Sequence, residues 1–182
     1  MKTYIILAIV IIIILYVLIV NNIIIKYANR VKEAFSTMDV YLKKRWDLIP
    51  NLVETVKSYA KYESDTLENV IKLRNTSYDE MSDEEKIQKN QEAVQGINKL
   101  IAISENYPEI KANENFIELS NQLTQVENEI ANSRKYYNAT VREYNNKIQV
   151  FPNNIVAALF RHKSCEMFEA KENEKNNVDV KL

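Results

Sequence analysis

Residues Tyr4 to Ile25 form a run that is apolar without a break from Ile5 to Val20 except at Tyr16. A helix rises about 1.5 Å per residue, so this run would be roughly 33 Å long, close to the thickness of a bilayer's hydrocarbon core. A buried core helix of that length would carry more polar positions. A cleavable signal would have a shorter apolar core followed by small residues, whereas here Asn21, Asn22 and three isoleucines follow. No cysteine lies nearby to carry a lipid anchor. The segment is therefore expected to be a retained membrane-spanning helix, with Tyr4 and Tyr27 at its two interfaces.

The rest of the chain is polar, and its turn formers are scarce: one Gly and three Pro in 182 residues. A many-stranded sheet needs more, so the expected fold is all-α. The amino-terminal transmembrane helix should continue into an elongated antiparallel bundle of three long helices plus one short helix. The expected divisions are 1–26 as anchor, 27–168 as bundle and 169–182 as a disordered polar tail.

Apolar positions at steps of three and four place the helices. The first carries Tyr27, Val31, Ala34, Met38, Leu42 and Ile49, should kink or break near Asp47 to Ile49 because Pro50 removes a backbone donor, and resumes from Leu52 to Ile71. Asn75 to Met81 reads as a loop. Ser82 and Glu85 form a capping box, so a second helix starts at about Asp83 with a seam of Ile87, Val94, Ile97, Leu100 and Ile101, ending before Pro108. Gly96 reads as tolerated rather than required there. Asn113 can cap a third helix, Glu114 to Val150, seamed by Phe116, Leu119, Leu123, Val126, Ile130, Tyr137, Val141, Tyr144 and Ile148. After Pro152, Asn153 or Asn154 can cap a short fourth helix.

Charge settles what the chain is not. Basic and acidic residues interleave to a formal net charge of -1, which excludes the one-sided basic surface of a nucleic-acid binder. Lys26, Arg30, Lys32, Lys43, Lys44 and Arg45 follow the span while only Lys2 and the α-amine precede it, so the bundle is expected in the cytoplasm and the amino terminus outside. Neither a glycine-rich phosphate loop nor a nucleophile elbow occurs, and the expectation is a protein that is not an enzyme and holds no cofactor or metal. His162 and Cys165 share one helix face by spacing, and an accidental exposed pair is the preferred reading of them.

Two stretches remain: Arg45-Trp46-Asp47-Leu48-Ile49-Pro50-Asn51-Leu52-Val53, leading to Tyr59-Ala60-Lys61-Tyr62-Glu63, and Tyr137-Asn138, repeated as Tyr144-Asn145 before Phe151-Pro152-Asn153. With the anchor, these resemble the LemA family of bacterial membrane proteins. The resemblance runs through nearly the whole chain, leaving out the loop near Tyr78 and the tail; Trp46 departs from it, standing where the family pattern has a polar residue. It implies a single-pass membrane protein of the cell envelope with a helical-bundle domain, a non-catalytic interaction or scaffolding role, and no catalytic residue. The alternative is a small-molecule hydrolase or sensor using polar groups between helices, for which Glu63, Arg134 and Asn138 should converge on a deep pocket. Partners expected on this reading are the lipid bilayer through residues 4–25 and other membrane or envelope proteins, with self-association left open.

The polar residues singled out as structural are Arg45, Asp47, Glu63, Arg74, Glu127, Arg134, Asn138 and Asn145. Asn138 and Asn145, one heptad apart, should bond to a neighbouring helix while their tyrosines pack. Glu63 lies between Tyr59 and Leu67, and Arg134 between Ile130 and Tyr137, so both should point inward. Unpaired buried charges cost several kcal/mol, roughly, and the two are expected to pair across the bundle. Alternatively Arg134 meets Glu127 while Glu63 takes Arg45 or Arg74, or one or both reach water at the bundle edge.

Overall fold

The structure, a computed structural model, describes residues 1–60, 62–72 and 77–168. Six α-helices and one 3-10 turn make up the described residues: α1 (Lys2–Lys57), α2 (Ser64–Lys72), the 3-10 turn (Tyr78–Glu80), α3 (Asp83–Asn106), α4 (Pro108–Lys111), α5 (Glu114–Gln149) and α6 (Asn153–Leu159). The all-α expectation holds. Arg74 and the tail 169–182 lie outside the described residues.

The chain divides into two compact units. The first joins Met1–Phe35 to Arg134–Leu182, and the second is Ser36–Ser133. Within the first, Val20, Ile24 and Val31 of α1 pack on Val141, Tyr144 and Ile148 of α5 and on Val156 and Ala157 of α6. The contact of Lys147 with the Tyr27 ring and the edge-on contact of Phe35 with Tyr137 show the two long helices running antiparallel, because partners fall in number along α5 as they rise along α1. Within the second unit the buried stripe of α1 runs through Met38, Leu42, Trp46, Ile49, Leu52, Val53 and Val56, at the steps of three and four that keep one helix face inward.

Local chemistry sets the ends. At α3, Ser82 accepts from the Glu85 amide and the Glu85 carboxylate accepts from the Ser82 amide, completing the expected box. The Glu85 carboxyl is held below its usual range by those bonds to Ser82, backbone first. Asn113 caps α5 by accepting from the Phe116 amide at 3.0 Å.

Several expectations are corrected. Of the kink or break expected near Asp47 to Ile49, the break does not occur, and α1 passes through Pro50 as one helix. A mid-helix proline costs about 3 kcal/mol, and burial of the flanking Ile49, Leu52 and Val53 offsets it. The stretch from Leu52 to Ile71 is two helices. α1 stops at Lys57, where the amides of Tyr59 and Ala60 both close on the Val56 carbonyl, and Ser58 turns its hydroxyl back onto Thr55. Ala60 is buried at that turn, so the apolar period continues there without the helix. The stretch read as a loop holds the 3-10 turn, whose Tyr78 is buried. On α3 the buried face is Asn90, Ala93, Gly96, Ile97, Leu100, Ile103 and Ser104, while Ile101 is exposed. α6 begins after Pro152 without a side-chain cap; Asn153 accepts from Tyr16 instead. The five residues between Asn106 and Ala112 add the short α4, started by Pro108.

Candidate functional site

The two polar constellations of the molecule occupy one unit each. In the first unit, α6 ends at Phe160 with a turn whose last bond, from the His162 amide to the Ala157 carbonyl, sends the chain back along α5 without helical structure. Such a segment has backbone groups with no ladder of their own, and burying them unpaired is costly. The flank of α5 supplies the partners. Asn138 accepts from the Phe168 amide at 2.7 Å and donates to the Phe168 carbonyl at 2.9 Å. Asn145 does the same with Cys165, at 2.9 and 2.8 Å. Tyr144 donates to the Lys163 carbonyl and Tyr137 to that of Glu166.

The spacing explains why the Tyr-Asn pair is repeated at seven. One heptad advances a helix by about 10.5 Å, and three residues of extended chain advance by about 10 Å. Asn138 and Asn145 therefore meet Phe168 and Cys165 in step, each side-chain amide presenting to one residue the donor and acceptor that a neighbouring strand would. The expectation that these asparagines bond to a neighbouring helix is corrected: they hold an extended strap.

The strap's side chains complete the fit. The Phe168 ring is buried, with the Arg134 guanidinium 4.3 Å from its centre. Cys165 is half-buried, and burial pushes its thiol up, so it stays protonated at neutral pH. Burial and the neighbouring Cys165 push the Tyr144 hydroxyl up as well, keeping it a donor. His162 does not work with Cys165; its Nε2 lies 2.9 Å from Asn21 Oδ1 on α1.

The second unit holds a charged network. Arg45 is fully buried in the middle of α1. Its Nη1 meets Glu127 of α5 at 2.7 Å, while Nε and Nη2 donate to the side chain and backbone carbonyls of Asn90 on α3. Asn90 in turn donates to the Tyr78 hydroxyl and to the Lys86 carbonyl. Tyr78 donates to Asp39 at 2.8 Å, and Lys86 meets the other oxygen of that carboxylate at 2.9 Å. Burial, then the hydrogen bond to Asp39, pushes the Tyr78 hydroxyl far above its ordinary range, so it remains a donor at any physiological pH. Two cations face two anions, and buried side chains of α1, α3 and the 3-10 turn are locked in one register.

Of the residues named from sequence, Arg45, Glu127, Asn138, Asn145 and Arg134 sit in these two constellations. The alternative that gave Arg45 to Glu63 is corrected, because the carboxylate Arg45 meets is Glu127. Glu63 is half-buried just before α2 and belongs to the second unit, Arg134 to the first. Asp47 is exposed and meets Lys43 one turn earlier. Asp39, Tyr78, Lys86 and Asn90 escaped sequence reading, although Asn90 fills the gap between Ile87 and Val94 in the α3 seam. The Trp46 ring packs at a tilt against that of Tyr78, with ring centres 5.8 Å apart. An open polar groove, lined among others by Asn51, Glu54, Tyr59, Asn113 and Gln122, runs between α1 and α5 in the same unit. Among the described residues no group of three or more His, Cys, Asp or Glu could hold a metal ion.

A match to the LemA family model covers residues 34–182, including the Arg45 network, the Tyr-Asn repeat and the strap. The chain belongs to the LemA family. The match begins at Ala34, so the apolar run lies before it, while the tail, left out of the resemblance read from sequence, lies within it. Protein LemA of Metamycoplasma hominis is 26% identical over 163 residues, 87% of this chain and 73% of that one. Magnetosome proteins MamQ 2 and MamQ 1 of Paramagnetospirillum magneticum are each 32% identical over 75 residues, 41% of this LemA-family chain and 28% of theirs.

Proposed function

We infer that this LemA-family protein is a non-catalytic interaction or scaffolding protein, held at a bacterial membrane by α1 with its bundle on the cytoplasmic side. One observation carries the reading: α1 is a single helix whose exposed apolar stretch, Tyr4 to Tyr16, passes without interruption into the buried stripe of the bundle. A helix that is apolar all round and uncovered is suited to lipid, and one that then buries a single face is suited to a bundle. Two relatives are named as magnetosome proteins, which is in keeping with a role in organising a cellular structure. The polar candidates also favour this reading over a hydrolase. Arg134 and Asn138 converge on Phe168 of the same chain, leaving their polar groups engaged in structure.

The test is extraction and topology together. The full chain should stay with membranes through alkaline carbonate, and a tag after Leu182 should resist protease in intact cells stripped of their wall. Release by carbonate would refute the anchor, and rapid tag loss with a cytoplasmic control protected would reverse the orientation. A sensor reading has one feature in its favour, the open polar groove along Asn51, Glu54 and Asn113. Stabilisation of the detergent-solubilised protein by a small polar metabolite, abolished by Glu54→Ala, would favour it.

A further inference from the structure

The bundle starts to cover α1 too early for the whole apolar run to stand free in a bilayer. Every residue from Tyr4 to Tyr16 is exposed, Val17 is half-covered, and Val20 and Ile24 are buried against α5 and α6. The free stretch from Tyr4 to Tyr16 is about 20 Å long, roughly 10 Å short of the hydrocarbon core, whereas the run to Ile25 would fill it. Either the membrane thins around the protein, or the part of the bundle that clads Val17 to Ile24 lies in the membrane too.

The cladding element has the surface for the second option. Between Lys147 and Arg161 the chain carries no charged residue. Val150, Phe151, Ile155, Leu159 and Phe160 are all exposed around the α5–α6 elbow, Phe151 at 74%, Ile155 at 62% and Leu159 at 67%. Two contacts fix its depth along α1. The Tyr16 hydroxyl donates to Asn153 at 3.4 Å at the tip, and His162 meets Asn21 at 2.9 Å where the strap begins. α6 therefore lies alongside the last turns of the apolar run. Its one polar group facing α1 at the tip has a partner, as low dielectric demands. Charges resume at the far end with Arg161 and Lys163, both exposed and level with Asn21, and Lys26 follows one turn on; long basic side chains at that level reach the headgroups.

We propose that the α5–α6 elbow, residues 150–160, is inserted into the lipid bilayer beside α1, with Phe151, Ile155 and Leu159 in contact with acyl chains. The elbow lengthens the apolar column to bilayer thickness and seats the bundle at a fixed depth. The proposal rests on the reading of α1 as a membrane span and adds a second lipid-facing element to it.

The experiment uses the full chain in phosphatidylcholine vesicles. With Cys165, its single cysteine, changed to Ser, environment-sensitive fluorophores are placed singly by Ile155→Cys, Leu159→Cys, Ile11→Cys within the span and Gln122→Cys on the bundle surface. The expected result is blue-shifted emission at residues 155 and 159, matching residue 11, with residue 122 at the aqueous value. Water-like emission at 155 and 159 with lipid-like emission at 11 overturns the elbow and leaves the anchor standing. Water-like emission at 11 overturns both. A milder probe guards against label-induced misfolding: Phe151→Trp in a Trp46→Phe background, whose fluorescence should be quenched by lipids brominated on the acyl chain. Quenching no greater than in the Trp46→Phe protein lacking the new tryptophan overturns the proposal.

Discussion

The first unit holds its strap with neutral amides and hydroxyls on backbone, whereas the network of the second is built on charged side chains. The difference follows from what each has to hold. A strap without helix or sheet structure exposes amide and carbonyl groups, and asparagine, with one donor and one acceptor side by side, satisfies both on one residue. Packed helices have already paired their backbones, so what remains to be specified is register, and oppositely charged groups on different helices specify it. One arrangement can open locally, whereas the other can open only with its unit.

This contrast can be broken by measurement. Arg45→Ala should lower the unfolding free energy of the detergent-solubilised protein by about 3 kcal/mol, combining a buried void with the loss of bonds to Asn90 and Glu127. Denaturant unfolding showing a loss under about 0.5 kcal/mol would mean the network is not holding the unit. Tyr78→Phe keeps the ring against Trp46 but leaves Asp39 one donor fewer, and about 1–2 kcal/mol should be lost by the same method. Asn145→Ala should cost global stability about 1 kcal/mol or less while freeing the strap. Its readout is the alkylation rate of Cys165, expected to rise up to roughly fivefold, as a local opening easier by about 1 kcal/mol requires. If Asn145→Ala proves as damaging globally as Arg45→Ala, the two units do not differ in the way argued.

The smallest effect concerns pH. Because the bonds to Ser82 hold the Glu85 carboxyl below its ordinary 4.5, the capping box stabilises the fold above that pH. That contribution fades as the pH falls through the lower folded value. Following the Ser82 amide by NMR should give a midpoint under 4.5, and Glu85→Gln should remove the titration.

Signals confined to a few neighbouring residues were readable in the sequence. The seam from Val31 to Ile49, the Ser82 box and the Asn113 cap each involve contacts within one or two turns, and each appears where expected. Partners far along the chain were not readable. Tyr78 stands in a polar stretch with no apolar period around it, and only the fold brings it to Trp46 and Asp39. Asn138 and Asn145 advertised their shared flank by spacing, but an extended strap has no periodicity to announce it as their partner. Pro50 did not break its helix, because the local effect of one missing amide was outweighed by the apolar burial on both sides of it.

α1 has no joint between its exposed apolar stretch and the face it buries against α5. If that stretch spans a bilayer, the first unit cannot swivel independently of it, as a domain on a glycine-rich tether would. The helix then acts as a lever. A thinner membrane, which makes a long span lean, would incline the unit by the same angle, so its posture would report bilayer thickness to whatever binds it.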